Sequence, residues 1–172
     1  MHFSANSSIY STERNNALDT YADFVYACSD SVKNGQGAAG EYECDFSFGV
    51  VSNNPLGSAA LNALVASAEK LGYSKFACFF IALHAENKRL TDQELFTLLE
   101  SIDPHALVIS DNAASQAAAE AYKPAVSAPL QTDAFQRILG RDAVVFRSFE
   151  ELLETPQKKQ RAWALLKELK QD

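Results

Sequence analysis

A chain of 172 residues, 47% hydrophobic and 22% charged, is long enough to bury one substantial core and short for two domains. Its formal net charge of −7 argues against strong non-specific nucleic-acid affinity, which needs a cationic face. No run approaches the roughly 18 consecutive apolar residues of a membrane span, and Met1–Ser8 lacks the basic and apolar regions of a signal peptide, so a cytoplasmic protein with no membrane partner is expected.

Residues 1–12 carry no apolar periodicity and are expected to form a flexible arm ahead of a single domain at 13–172. From Glu13 to Val32, Leu18, Tyr21, Ala22, Val25, Cys28 and Val32 recur at helical spacing, which predicts a helix with one core stripe. Phe24 and Tyr26 fall off that stripe, as a second packing surface or a partner contact. Lys33–Gly40 reads as a flexible glycine-rich loop; it is no phosphate loop, because neither a Gly-Lys-Ser/Thr nor a helix follows. Asp45–Val51 gives a first strand through Phe46, Phe48, Val50 and Val51, ended by Ser52-Asn53-Asn54-Pro55. The next helix, Leu56 to Leu71, presents Leu61, Leu64, Val65, Ala68 and Leu71 on one face and stops at Gly72.

Lys75–His84 is the most apolar run in the chain and predicts a second buried strand, followed by a polar loop through Arg89. Thr91-Asp-Gln-Glu94 is a capping box with Leu90 and Leu95 as its hydrophobic staple, and the helix it opens ends before Pro104. Ala106–Ile109 is a third strand, running through Ser110-Asp111-Asn112 into an alanine-rich helix that either Ser110 or Asp111 is placed to cap. Lys123–Gln131 is an extended connection; Thr132 then predicts a short helix holding Phe135, Ile138 and Leu139 and closed by Gly140. Asp142–Phe146 makes the fourth strand, Ser148-Phe-Glu-Glu151 a second capping box, and Thr155-Pro156 the start of a last helix bearing Ala162, Trp163, Leu165, Leu166 and Leu169.

Strands alternating with helices predict a three-layer α/β/α domain with a short four-stranded parallel sheet. Ligands in such sheets bind at the carboxyl edge, which makes Ser52, Asn53, Asn112 and Ser148 the residues expected to rim a pocket there. Cys28, Cys44 and Cys78 form no Cys-x-x-Cys pair and read as reduced core thiols, and with three scattered histidines they offer no ligand set, so no metal or other cofactor is expected.

The ending, Ser148-Phe-Glu-Glu-Leu-Leu-Glu-Thr-Pro156 with Lys159, Trp163, Leu166 and Leu169, resembles the C-terminal signature of the uracil-DNA glycosylase superfamily, above all its thermostable-type branch. Ile102-Asp-Pro-His-Ala-Leu-Val-Ile-Ser-Asp-Asn-Ala-Ala114 is similar to that family's strand and turn, and Pro55-Leu56-Gly57 to its Pro-Phe-Val-Gly segment. The resemblance spans about residues 44–170 and implies parallel strands at about 44–51, 76–83, 106–110 and 143–147 in the order 2-1-3-4, with Ser52–Asn54 beside Ser110–Asn112 at the switch point.

The family's chemistry does not carry over. Its water-activating loop would fall on Phe48–Asn54, which has no acid; its uracil-reading asparagine falls near Phe79 or Phe80; its histidine and proline fall on Ser148 and Phe149. The four cysteines of the thermostable-type iron–sulfur cluster have no counterparts. Releasing a base needs stabilisation of the departing anion and a shaped pocket for a flipped nucleotide. The expectation is therefore a non-catalytic glycosylase-like domain serving DNA metabolism as a protein-interaction or weak single-stranded-DNA-binding module, with replication or repair proteins as partners. The psi subunits of the bacterial polymerase III clamp-loader assembly, which this chain resembles more distantly in its closing turn, proline and Trp-bearing helix, work by protein contacts of this kind. The alternative is an active DNA glycosylase with a site rebuilt from Asn54, His84 and Asp111. For nucleic acid, the candidate face is Arg137, Arg141 and Arg147 with Lys158, Lys159 and Arg161.

Overall fold

The computed structural model describes residues 3–34, 43–126 and 129–171. In chain order the elements are α1 (Phe3–Thr20), β1 (Val25–Cys28), α2 (Ser29–Asn34), β2 (Phe48–Ser52), α3 (Ser58–Lys70) and β3 (Cys78–Ala82). A small hairpin, β4 (His84–Ala85) and β5 (Lys88–Arg89), leads to α4 (Asp92–Ile102), β6 (Ala106–Ile109), α5 (Asn112–Ala121), β7 (Ala134–Ile138), β8 (Arg141–Val145) and α6 (Pro156–Leu166).

Six strands form one sheet in the order β1-β3-β2-β6-β8-β7. The inner four are parallel, with Phe48 opposite both Cys78 and Ala106, and Ala106 opposite Asp142. They keep the expected order. The sheet is nevertheless wider than the four strands expected, because β1 pairs antiparallel with β3 and β7 antiparallel with β8.

Side chains alternate across the parallel strands, so each helix layer receives its own half of every strand. Val51, Phe79, Ile81, Leu107, Ile109 and Val145 pack with α1, α4 and α5, whereas Phe48, Val50, Phe80, Val108 and Val144 pack with α3 and α6. Both faces being covered explains why β2, β3 and β6 are buried at every residue and why β3 and β6 read as unbroken apolar runs. Gly49 is required by this packing: a Cβ there would stand 2.7 Å from Phe79 Cζ and 3.3 Å from Leu107 Cδ1, and Phe79 is fully buried and has nowhere to swing. Gly49→Ala is expected to cost about 1–3 kcal/mol by overpacking, read as a lower urea midpoint at unchanged slope.

Three sequence expectations need correction. Residues 3–12, expected as an arm, carry helical backbone as the start of α1. The helix expected over Glu13–Val32 stops at Thr20, passes through a 3-10 turn at Ala22–Phe24, and gives way to β1 and then α2. Its apolar stripe is not that of a helix: Val25 and Cys28 face one core and Tyr26 and Ala27 the other, the register shift between Val25 and Ala27 interrupting the strict alternation of a strand. β1 closes the open edge of β3, the most apolar strand, whose backbone would otherwise stand unpaired.

The third correction is the short helix at 132–140, which is instead the hairpin β7–β8. Ile138 pairs with Arg141 across the two-residue turn Leu139-Gly140, where φ is 49° and 77°. Positive φ at both positions is the hairpin geometry that fits the twist of the strands, so the glycine expected to close a helix serves the turn instead. The glycine-rich loop expected at 33–40 falls for the most part outside the described residues.

The helix starts follow their sequence cues. Thr91 Oγ1 accepts from Glu94 N at 3.1 Å while Glu94 Oε1 accepts from Thr91 N at 3.0 Å, completing the capping box. Thr155 Oγ1 caps α6 by accepting from Lys158 N at 3.2 Å, with Pro156 in the first helical position.

Candidate functional site

The switch point lies where expected, at the carboxyl ends of β2 and β6. Asn53 N donates to Asp111 Oδ2 at 2.8 Å, and Ser110 N donates to Val51 O at 2.9 Å. His84 is drawn into the same corner by its backbone, His84 N donating to Asn53 O at 3.0 Å. His84 and Asp111 are thus gathered around the backbone of Asn53, while the Asn54 and Asn112 side chains are exposed.

The polar groups gathered there are occupied by the fold itself. Asp111 Oδ1 caps α5 by accepting from Ala114 N at 2.8 Å, and Oδ2 holds the loop after β2. The buried Ser110 hydroxyl lies 3.2 Å from Val51 O and 3.4 Å from Asp111 Oδ2. Ser148 Oγ accepts from Glu151 N at 3.3 Å, and its residue bridges back to Asp111. Tyr26 OH accepts from Leu56 N at 3.0 Å and stands 3.4 Å from the buried Ser52 Oγ. Burial pushes the Tyr26 pKa above its usual value, keeping that hydroxyl protonated. Glu150 Oε2 accepts from Gly57 N at 3.3 Å. The loop between β2 and α3 is therefore stitched to β1, α5 and the segment after β8, which gives Tyr26, set off the helical stripe in the sequence, a packing role.

The six basic candidates do not share a face. Arg141 is buried and bonded to Glu100, Asp103 and Pro104 O at the opposite, amino edge of the sheet. Arg137 pairs with Asp142 at 3.1 Å and Lys158 with Glu154 at 3.1 Å. Arg147 is exposed, its backbone N donating to Asp133 Oδ1. Arg161 lines a shallow cavity with Asp133 and Leu165, whereas Lys159 faces the other side of α6 toward α3.

That other side holds what the sequence did not reveal. α3 and α6 run alongside each other in the same direction, tied at their starts by Gly57 to Glu150 and beyond their ends by Gln171 N to Leu71 O at 3.0 Å. Between them lies an open groove of about 410 Å³. Ala59, Ala63 and Ala66 form one wall, Phe149, Ala162 and Leu166 the base, and the half-buried Trp163 the other wall. Lys70 Nζ and Lys167 Nζ each stand 5.9 Å from the Trp163 ring centre. Among the described residues no carboxylate lines the groove, and the nearby Glu69 and Glu154 are paired with Lys33 and Lys158. Solvent-facing alanines on an otherwise core-packed helix were the available signal, but their meaning depends on α6 lying beside them.

The thiols are core groups: Cys28 and Cys78 are buried and Cys44 is half-buried. Burial pushes the Cys78 thiol up to about 12, well away from the thiolate form that binds metals or attacks electrophiles. Among the described residues no cluster of histidine, cysteine and carboxylate side chains is placed to hold a metal ion, and no helix is long and apolar enough to cross a membrane. No protein-family model matches the sequence, and neither does any curated protein.

Proposed function

We propose that this chain is a non-catalytic domain of uracil-DNA glycosylase-like construction that acts in DNA metabolism by binding another protein. One contrast carries the reading: Asp111 and Ser148, at the edge where such a fold would do chemistry, are spent on helix caps and loop ties, while an apolar groove beside Trp163 stands open. A general base must be free to turn its carboxylate toward a substrate proton, whereas both oxygens of Asp111 are held by backbone N–H groups. The 2-1-3-4 order of the parallel strands and the proline-initiated, Trp-bearing last helix support the kinship on which the assignment to DNA metabolism rests. The dispersal of the basic residues favours protein over single-stranded DNA as the partner, since a polyanion is held by a continuous row of cations.

The test is incubation of the purified chain with single- and double-stranded uracil-containing DNA followed by alkaline strand cleavage. The expected result is no base release. Release that Asn54→Ala or His84→Ala abolishes would establish a rebuilt glycosylase site and replace this reading.

A further inference from the structure

We propose that the groove between α3 and α6 seats one amphipathic helix of a partner protein, its apolar face against Trp163 and its acidic flank against Lys70, Lys159 and Lys167. This rests on the protein-binding reading and names the chemistry of the partner.

A helix fits the groove where an extended peptide does not. The backbone groups of α3 and α6 are used within those helices, so a strand laid between them would find no partners for its own N–H and C=O groups. A helix arrives with its backbone bonds already made and offers side chains alone. From Ala59 to Lys70 the wall runs eleven steps along α3, about 16 Å at 1.5 Å per residue, or three turns. Alanine at 59, 63 and 66 keeps that wall low, so an incoming helix can approach closely and set its larger apolar residues over Leu166 and Trp163.

Charge decides the character of the flank. The whole chain carries −7, yet around the groove the pattern inverts: Lys70 and Lys159 line it, Lys167 stands over the Trp163 ring, and among the described residues no ion pair joins any of the three. Charges farther away than roughly 8 Å are screened at physiological salt, so a docked helix senses these lysines more than the net charge. Asp and Glu on its flanks complement them; Lys and Arg do not.

Trp163 is the only tryptophan in the chain, and its emission reports directly on the groove. A displayed library of helical peptides about 15 residues long is selected on the full-length protein and counter-selected on Ala63→Arg, a change on a half-exposed face of α3 that fills the groove without entering the core. The expected winners carry Leu or Phe at i, i+3 or i+4 and i+7 with Asp or Glu beside them. They shift Trp163 emission with micromolar affinity and lose about tenfold in Lys159→Glu. Winners with basic flanks, binding unchanged by Ala63→Arg, or no enrichment at all would overturn the proposal. Quenching of Trp163 by oligothymidylate at physiological salt, with no peptide enriched, would assign the groove to nucleic acid and overturn it too. If selection fails while the uracil assay stays negative, only the groove assignment falls. If peptides are enriched yet uracil is released, the non-catalytic reading falls and the groove stands.

Discussion

Arg141→Ala is expected to destabilise the protein by about 3 kcal/mol, the scale for removing one partner from a buried, hydrogen-bonded ion cluster. The guanidinium is 6% exposed; its NH2 group donates to Asp103 Oδ1 at 2.7 Å and Glu100 Oε2 at 3.2 Å, and Nε donates to Pro104 O at 2.9 Å. It thereby clamps the end of α4, where Asp103 turns at φ 54°, to the start of β8. Burial works against the charge, but the bonds it donates to Glu100 and Asp103 outweigh that and hold Arg141 firmly protonated. The loss stays near the low end of the buried-pair range because water can reach the exposed Asp103 once the arginine has gone. Urea unfolding gives the measurement, with Arg137→Ala as control: that pair is largely exposed and its loss is expected to cost under about 1 kcal/mol. Arg141→Lys should recover little, since an ammonium cannot reproduce the forked geometry. An unchanged urea midpoint in Arg141→Ala would show that the cluster does not hold the fold.

Asp111→Ala is expected to cost about 2–3 kcal/mol from two sources. Losing the cap on Ala114 N costs about 1 kcal/mol, and leaving the half-buried Asn53 N–H without its acceptor costs about 1–2 more. Asp111→Asn keeps one side-chain oxygen, so it should recover the cap or the loop tie but not both. Amide hydrogen exchange at Asn53 and Ala114 distinguishes the two, and both amides should exchange faster in Asp111→Ala. A carboxylate held for chemistry would behave in the opposite way, with Asp111→Asn near wild type in stability and any base release gone.

Both residues bear on what the sequence could and could not disclose. The parallel core was legible because β3 and β6, buried on both faces, are continuous apolar runs and Phe48, Val50 and Val51 mark β2, while Thr91, Asp111 and Thr155 announce the helices between and after them. The added edge strands were not. β7 alternates covered and exposed residues over only five positions, and Phe135 and Ile138 with Leu139 of the following turn mimic a helical spacing. β1 exists because of β3, which lies far along the chain, and no local pattern of four residues expresses that. Site residues divided in the same manner: neighbours across the parallel strands, such as Asn53 and Asp111, followed from the strand order, but Arg141 looked like a surface cation because nothing local shows Glu100 and Asp103 waiting beneath it.

The pairing of β1 with β3 also sets an order in time. Val25 and Ile81 lie opposite each other in the finished sheet, yet during synthesis the N-terminal strand emerges long before its partner exists, and chains grow at only about 5–20 residues per second. β1 can therefore take its place in the sheet only after β3 has been made. Closing so long a loop costs entropy that is recovered only when the contact forms. A strand made early is in this way completed only by one made much later.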